Sequence, residues 1–272
     1  MRRLFSLAAA PLTAILLGFG WSSSAHAQVS VLSSTVEEHT GTPGDSYVGR
    51  IAISNTGADS QTVRIYQTDY AFQANGTSSF GDPGSTPRSN ARWISLQSAQ
   101  VVVGPRSTQT VPYTVIIPRN DSLRGTYWST VMVEGVGSPA SVHASAEHRQ
   151  VGIATVIRYA VQVATHIGAT GTRTIHLSTP HAAQRPDSGA FIETDVENTG
   201  ERAYRPQLWI EVYDAQGKLQ AKAKQSRGLL YPGTSLHQRF ALGVLPPGTY
   251  KALIYADTGE DSVYAAQYTV VF

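Results

Sequence analysis

The amino-acid sequence contains no cysteine among its 272 residues. This absence excludes disulfide bonds, zinc sites built from thiolates and catalysis by a cysteine nucleophile. The folded chain must therefore be stabilised by the burial of apolar side chains, which two domains of about 120 residues each can supply.

An excess of charge of either sign is also lacking. Lys and Arg together number 21 and Asp and Glu number 19, and two of the arginines, Arg2 and Arg3, lie at the extreme N-terminus. The remaining 19 basic and 19 acidic side chains balance. Because nucleic acids and anionic membrane surfaces are bound by basic fields, we expect neither as a partner.

The first residues have the three parts of a secretory signal peptide. Two arginines precede an apolar stretch over residues 4–21, and the small-x-small sequence Ala-His-Ala ends the segment. We expect cleavage after Ala27, which leaves a periplasmic chain of 245 residues with no integral membrane segment. The alternative is a membrane anchor, which Pro11 within the stretch and the lack of a charged run after it disfavour.

Helical periodicity is nearly absent after the leader. Short runs rich in Val, Ile, Thr and Tyr recur instead, separated by Asn-Gly, Pro-Gly and Asn-Thr-Gly turns. This pattern predicts an all-β fold of two tandem immunoglobulin-like β-sandwich domains. We place the first domain at residues 28–165 and the second at residues 166–272.

An internal repeat supports two similar domains. Asn-Thr-Gly follows an apolar strand at Asn55 and again at Asn198, and Gly-Thr-Tyr recurs in the same order at Tyr127 and Tyr250. The second motif is typical of the tyrosine corner of Greek-key sandwiches, in which the phenol hydroxyl binds backbone a few residues upstream. The alternative is that both motifs are common β-turn sequences.

The first copy carries extra residues between the two motifs. Gly57 and Gly125 are 68 residues apart, whereas Gly200 and Gly248 are 48 apart. The insertion corresponds to a turn-rich segment over residues 70–93, with Tyr70 and Phe72 at one end, Phe80 in the middle and Trp93 at the other end. We single out Tyr70, Phe72 and Trp93. Long loops in compact domains are often functional, so these three residues form a candidate ligand site. The alternative is that they attach the loop to the core.

Residues 151–164 form a run without proline or acid, with Arg158 as its only charge. An extended backbone would put its larger apolar side chains on one face, and these are Val151, Ile153, Ile157, Tyr159, Val161 and Val163. At a sheet edge such a strand is a template for pairing with another chain. The alternative is a central strand covered on both sides.

Several motifs in the first domain stand in an order that resembles a known family. They are a Val-rich strand at residues 29–36, Pro-Gly-Asp at 43–45, Val-Val-Val-Gly-Pro at 101–105, Ile-Ile-Pro at 116–118, Gly-Thr-Tyr-Trp at 125–128 and a long final strand at 154–163. In this order the segment resembles the N-terminal domain of the periplasmic pilus (fimbrial) chaperones, the PapD-like family. The resemblance covers about residues 29–165.

The resemblance implies a chaperone for pilus assembly, with exported, pilin-like subunits and an outer-membrane usher as partners. In that family the final strand lends alternate side chains to an incomplete subunit by strand pairing. Here the donors would be Ile153, Ile157, Tyr159, Val161 and Val163. The family also anchors the subunit's C-terminal carboxylate between two basic residues in the interdomain cleft. Arg158 matches the one on the final strand, whereas residues 29–40 contain no Lys or Arg to match the other.

The same turn motifs are also similar to those of Ig-like WxL-interacting surface proteins. This similarity implies a second interpretation, a cell-envelope surface module that binds wall polymer or partner surface proteins through residues 70–93.

Motifs of catalytic type are absent from the sequence. The seven histidines after the leader lack the spacing of zinc ligands, and neither a Gly-x-Ser-x-Gly elbow nor a phosphate-binding loop is present. Glu193, Asp195 and Glu197 alternate along one predicted strand, which favours a solvated sheet surface over a catalytic pair, with Ca²⁺ binding as an open alternative. We therefore expect a binding protein without catalytic residues, metal or cofactor.

Overall fold

The computed structural model describes residues 29–136, 156–260 and 263–272. The predicted leader, the polar stretch before the long strand, and Val151 and Ile153 at the beginning of that strand all lie outside the described residues. The structure therefore tests the two domains and their junction.

The described chain is almost entirely β-structure, with a single 3-10 turn at Ala91–Trp93. The strands of the first half are β1 Val29–Val31, β2 Val36–Gly41, β3 Ser46–Asn55, β4 Gln61–Phe72, β5 Ser78–Gly81, β6 Ile94–Leu96, β7 Gln100–Val103, β8 Ser107–Ile116, β9 Gly125–Gly135 and β10 Arg158–Ile167. Those of the second half are β11 Ile175–Leu177, β12 His181–Arg185, β13 Gly189–Asn198, β14 Gln207–Tyr213, β15 Leu219–Ser226, β16 Ser235–Gly243, β17 Thr249–Asp257 and β18 Val263–Val271. The all-β prediction is confirmed.

The first ten strands form a sandwich. One sheet has the order β1-β3-β8-β6, and the facing sheet has the order β2-β10-β9-β4, with β5 and β7 pairing along β4. Alternate side chains of both sheets point inward, as period-two strands require, and fill a single core. Its central members include Ile51, Ile53, Val131, Val133, Val161 and Val163.

The last eight strands form a second sandwich with its own core. Its sheets are β11 and β12 beside β13 and β16, and β15-β14-β17-β18. Leu208, Ile210, Phe240 and Ile254 are fully buried between them. The chain thus has two Ig-like β-sandwich domains. β10 continues two residues past the boundary expected at residue 165 and ends at Ile167.

The repeated Asn-Thr-Gly motif has the same structure in both domains. Asn55 and Asn198 are buried, and each Oδ1 accepts a hydrogen bond at 2.9 Å from the amide two residues further on. Each Nδ2 donates to a carbonyl of a neighbouring segment, that of Val103 at 3.1 Å and that of Leu230 at 2.9 Å. The motif therefore joins separate segments of each domain as well as forming a turn.

The second repeated motif differs between the domains. The Tyr250 hydroxyl donates to the Pro246 carbonyl, four residues upstream, at 2.6 Å, which confirms the tyrosine corner in the second domain. In the first domain Tyr127 packs against Trp93 instead, with ring centroids 4.7 Å apart.

The two domains share a small apolar junction. Trp128 of β9 stacks on Tyr231 of the second domain with ring centroids 4.8 Å apart. Gly125 has a positive φ of 71°, and a Cβ there would lie 2.0 Å from the Glu201 carbonyl oxygen, so only glycine allows this approach. The domain-facing end of β9 is thereby fixed against the second domain.

A search of the described residues found no helix long and apolar enough to cross a membrane.

Candidate functional site

The long strand β10 changes its environment along its length. Residues 162–167 pair with β2 in parallel and with β9 antiparallel, so this part is central in its sheet. Among the described strands, β9 alone pairs with the four residues before Gln162. Both alternatives raised by the sequence therefore apply, the central strand to one part of β10 and the edge strand to the other.

The free part of β10 exposes backbone groups in a defined direction. The Gln162 amide donates to the Thr35 carbonyl at 2.8 Å, on the side of β2. Because backbone groups alternate in direction along a strand, Ala160 and Arg158 point the same way, beyond the end of β2. No described strand pairs with them there. Val156 and Ile157, just before the strand, are 48% and 42% exposed.

The predicted donor role is wrong for two residues. Val161 and Val163 are fully buried in the first-domain core, because this face of β10 covers the opposite sheet. A buried side chain cannot enter a partner without unfolding its own domain. Tyr159 is partly buried and donates from its hydroxyl to the Val29 carbonyl at 3.1 Å. Of the donors within the described residues, Ile157 is the exposed one.

Arg158 lies away from the interdomain cleft, which corrects its expected position. Its Nε forms an ion pair with Glu134 at 2.9 Å, at the beginning of β10. The opposite end of the strand, at Ile167, pairs with Gly125 at the domain junction. Arg158 is nine residues from that end, which is about 30 Å along an extended strand. It cannot anchor a ligand in the cleft.

The cleft instead contains basic side chains that the sequence interpretation missed. A cavity of about 250 Å³ is lined by Glu38 of β2, His166 of β10 and three arginines of the second domain, Arg173, Arg202 and Arg205. Arg205 forms an ion pair with Glu38, and His166 Nε2 lies 3.3 Å from the same carboxylate. Arg202 and Arg205 follow Asn198 in the second copy of the repeat, whereas the matched positions in the first copy carry no Arg. This difference between the two copies was the one sign in the sequence that these arginines have a special role.

Positive charge in this cavity is incompletely balanced. Arg202 donates to the carbonyls of Gly168 at 2.7 Å and Thr170 at 3.2 Å, and it forms no ion pair with any described residue. Burial lowers the pKa of Arg202, and the nearby Arg173 guanidinium lowers it further. Glu260, which lies 3.9 Å from Arg173, opposes both effects, so two carboxylates face three guanidinium groups. Two buried polar atoms, Arg173 Nε and Thr258 Oγ1, have no hydrogen-bond partner among the described residues. The cavity therefore offers donors and net positive charge to a small anionic group.

The aromatic residues of the inserted segment contact the protein itself. Tyr70 and Phe72 lie at the end of β4, where Tyr70 stacks on Phe80 at 5.1 Å and Phe72 meets Tyr231 edge-on at 6.4 Å. Trp93 packs on the first-domain core. The rings of Tyr70 and Phe72 lie 5.8 Å apart, whereas Trp93 contacts Tyr127 instead. The three rings therefore attach the segment to both domains.

The remainder of the segment is organised by a buried acid that the sequence interpretation overlooked. Asp69 is 1% exposed and accepts hydrogen bonds from the amides of Gly84 at 3.1 Å and Thr86 at 2.7 Å. The hydroxyls of Ser85 and Ser89 also donate to it. Burial raises the pKa of Asp69, but these hydrogen bonds outweigh it and hold the pKa below its usual value.

Two members of the acidic row of β13, Glu193 and Asp195, are paired with basic side chains. Asp195 lies 2.7 Å from His237, and Glu193 lies 3.5 Å from Arg239. Within the part of the chain that the structure describes, no group of three or more His, Asp or Glu residues is arranged to hold a metal ion.

Solved structures that match this chain include chaperones of fimbriae and pili. No family model matches the sequence, and no curated protein matches it. The class 5 fimbriae chaperone CfaA matches with a TM-score of 0.46 and 11% identity, over 88% of this chain and 98% of that one. A chain of the CsuC–CsuE chaperone–tip adhesion subunit complex of Acinetobacter baumannii matches with a TM-score of 0.43 and 10% identity, over 89% and 98%. The periplasmic chaperone SfaE matches at 0.37 and 8%, over 89% and 98%.

All three TM-scores are below 0.5, and none of the three identities exceeds 11%. At such identities the likeness concerns the fold alone.

Proposed function

We propose that this protein is a periplasmic chaperone-type protein that binds exported, pilin-like subunits by strand pairing at the free edge of β10. The observation that carries the proposal is the outward backbone of Arg158 and Ala160, which no described strand pairs, next to the exposed apolar side chains of Val156 and Ile157. Free N–H and C=O groups supply affinity for an extended segment, and adjacent apolar side chains supply selectivity. The role is one of binding, without catalysis.

The donor set follows the burial of the strand. Val161 and Val163 support the strand from the core, whereas Ile157 is exposed to a client. Since the backbone of Ala160 points to the same open side, the client strand would pair alongside β10 and end near β2. This arrangement leaves the domain core intact while the client is bound.

The cleft supplies the basic side chains that the first strand lacks. Pairing along β10 stops where β2 begins at Gln162, so the client's C-terminal residues would continue unpaired for about 20 Å to reach the cavity lined by His166, Arg202 and Arg205. Arg202 has a guanidinium bound to carbonyl oxygens and no ion pair among the described residues. We infer that Arg202 binds the client's C-terminal carboxylate, in place of the anchor expected at Arg158.

The strand edge is tested by two substitutions with a matched control. Ala160→Pro removes an amide proton that points to the open side, so it blocks pairing without breaking the bonds to β9. Ile157→Asp puts a charge where an apolar side chain would enter the client. Val102→Asp, at a side chain 64% exposed on β7, is the control. Tagged variants are used to capture proteins from the periplasm of the source cells, with identification by mass spectrometry.

We expect the unmodified chain and Val102→Asp to capture the same exported proteins, and Ala160→Pro and Ile157→Asp to lose them. Arg202→Gln should weaken capture while Arg239→Gln, on the outer face of the second domain, does not. Equal capture by all variants, with their folds intact by circular dichroism, would show that the β10 edge is not the client site.

A further inference from the structure

The second domain has its own open strand edge. β18 lies at the edge of the β15-β14-β17-β18 sheet and contains nine residues with no charge and no proline. The strand at the other edge, β15, carries Lys222 and Lys224. Natural proteins protect sheet edges with lysine or proline. One edge of this sheet is therefore protected and the other is not.

The backbone groups of β18 that face outward can be identified from one pair of hydrogen bonds. Gly248 and Phe272 exchange both backbone bonds, at 3.0 and 3.1 Å, so Phe272 points toward β17. Because direction alternates along a strand, every second residue from Val271 back to Val263 points away from β17. No described strand pairs on that side. Val263 and Val271, at the two ends, are 50% and 65% exposed.

We propose that β18 pairs antiparallel with β18 of a second copy of this chain, around a two-fold axis at Gln267. This is the only register in which all nine residues of the strand find a partner within the same strand. The four-stranded sheets of the two copies then join into one sheet of eight strands. A two-fold axis is the commonest symmetry of soluble oligomers.

The side chains of β18 are complementary to themselves in this register. On the inner face Ala266 meets Tyr268, a small side chain against a large one, and Tyr264 meets Val270. On the outer face Val263 meets Val271. Like charges directly opposite each other destabilise a strand pair. Because β18 carries no charge, pairing of two copies brings no like charges together. A second copy therefore fits this edge by shape, by charge and by register.

A charge-reversal experiment distinguishes a second copy from any other partner. Gln267 lies opposite itself, so Gln267→Lys or Gln267→Glu places two like charges on the axis. We expect the unmodified exported chain to sediment at twice the mass of one chain over a concentration series, and each variant alone at the mass of one. A mixture of the two variants should restore the double mass. Gln225→Lys, an exposed change on β15, is the control and should not alter the mass.

The register has a separate test, because the chain contains no cysteine. Gln267→Cys should form a disulfide-linked dimer under mild oxidation, since directly opposed residues have Cα atoms about 5.5 Å apart. Val271→Cys should crosslink to Val263→Cys and not to itself. The proposal fails if the unmodified chain stays at the mass of one chain, or if Gln267→Lys keeps the double mass. If the unmodified chain has the mass of one chain and Gln267→Lys abolishes its capture of client proteins, the β18 edge binds a client instead of a second copy.

Discussion

Val161 lies directly opposite Val131 on the neighbouring strands β10 and β9, and both side chains are completely buried. This pair separates the part of β10 that supports the core from the part that can meet a partner. Ile157, on the same face of the chain but before the strand, is 42% exposed. The difference leads to a prediction about stability.

Val161→Asp should unfold the first domain, whereas Ile157→Asp should not. A carboxylate at position 161 would be buried without a partner, at a cost of at least about 4 kcal/mol. At position 157 water solvates the charge, so the free energy of unfolding should change by less than about 0.5 kcal/mol. Urea unfolding followed by circular dichroism measures both. Similar losses in the two variants would mean that residue 157 is as buried as residue 161.

The sequence alone allowed the two faces of this strand to be separated, but it could not show which face covers the core. Period-two alternation is a local property and predicts that Val161 and Ile157 share one face. In the structure Val161 belongs to the first-domain core, whereas Ile157 precedes β10 and is 42% exposed. The Asn-Thr-Gly motif was more predictable, since its turn depends mainly on neighbouring residues.

The residues of the cleft were also hard to predict from the sequence, because they come from distant parts of the chain. Glu38 and His166 meet through the pairing of β2 with β10, and Arg205 joins them only when the two domains pack. The arginines that line the cleft belong to the second domain, whereas the sequence placed a basic residue on the final strand of the first. Resemblance of motifs located the strands, whereas the charges in the cleft depended on how the domains pack.

The buried asparagines of the repeat should be needed in both domains. Asn55→Ala and Asn198→Ala each remove an amide donor from buried backbone carbonyls, and we expect each to lower the free energy of unfolding by about 2–3 kcal/mol. Asn75→Ala, at an exposed turn residue, should cost less than about 1 kcal/mol. Urea unfolding measures the three values. If Asn198→Ala lowered the free energy of unfolding no more than Asn75→Ala does, the buried hydrogen bonds of the second motif would not contribute to stability as those of the first do.

Asp69→Asn should loosen the segment that follows β5. The replacement puts an amide where a carboxylate accepts four hydrogen bonds, so we expect a loss of about 2 kcal/mol and faster hydrogen exchange at the amides of Gly84 and Thr86. The exposed Asp82→Asn, in the same segment, should change neither. Unaltered exchange in Asp69→Asn would show that the aromatic contacts alone hold the segment.

His166 should make the stability of the protein depend on pH near neutrality. Its imidazole is 7% exposed, lies 2.8 Å from Thr126 Oγ1 and faces Glu38, Arg202 and Arg173. Burial lowers its pKa below the usual 6.5, and the two guanidinium groups lower it further, against the opposing effect of Glu38. Below pH 6.5 the unfolded chain therefore binds a proton that the folded chain does not, so stability falls as the pH falls from this value.

Glu38 acts in a lower range of pH, which allows the two groups to be distinguished. Burial raises the pKa of Glu38, but Arg205 and His166 outweigh it and hold the pKa below 4.5, so its contribution is lost only at pH values below that. We expect His166→Gln to lose less stability than the unmodified chain between pH 7 and pH 5, and the exposed His176→Gln to follow the unmodified chain. Thermal unfolding at a series of pH values measures this. Parallel curves for all three proteins would show that His166 takes up its proton equally well when folded and unfolded.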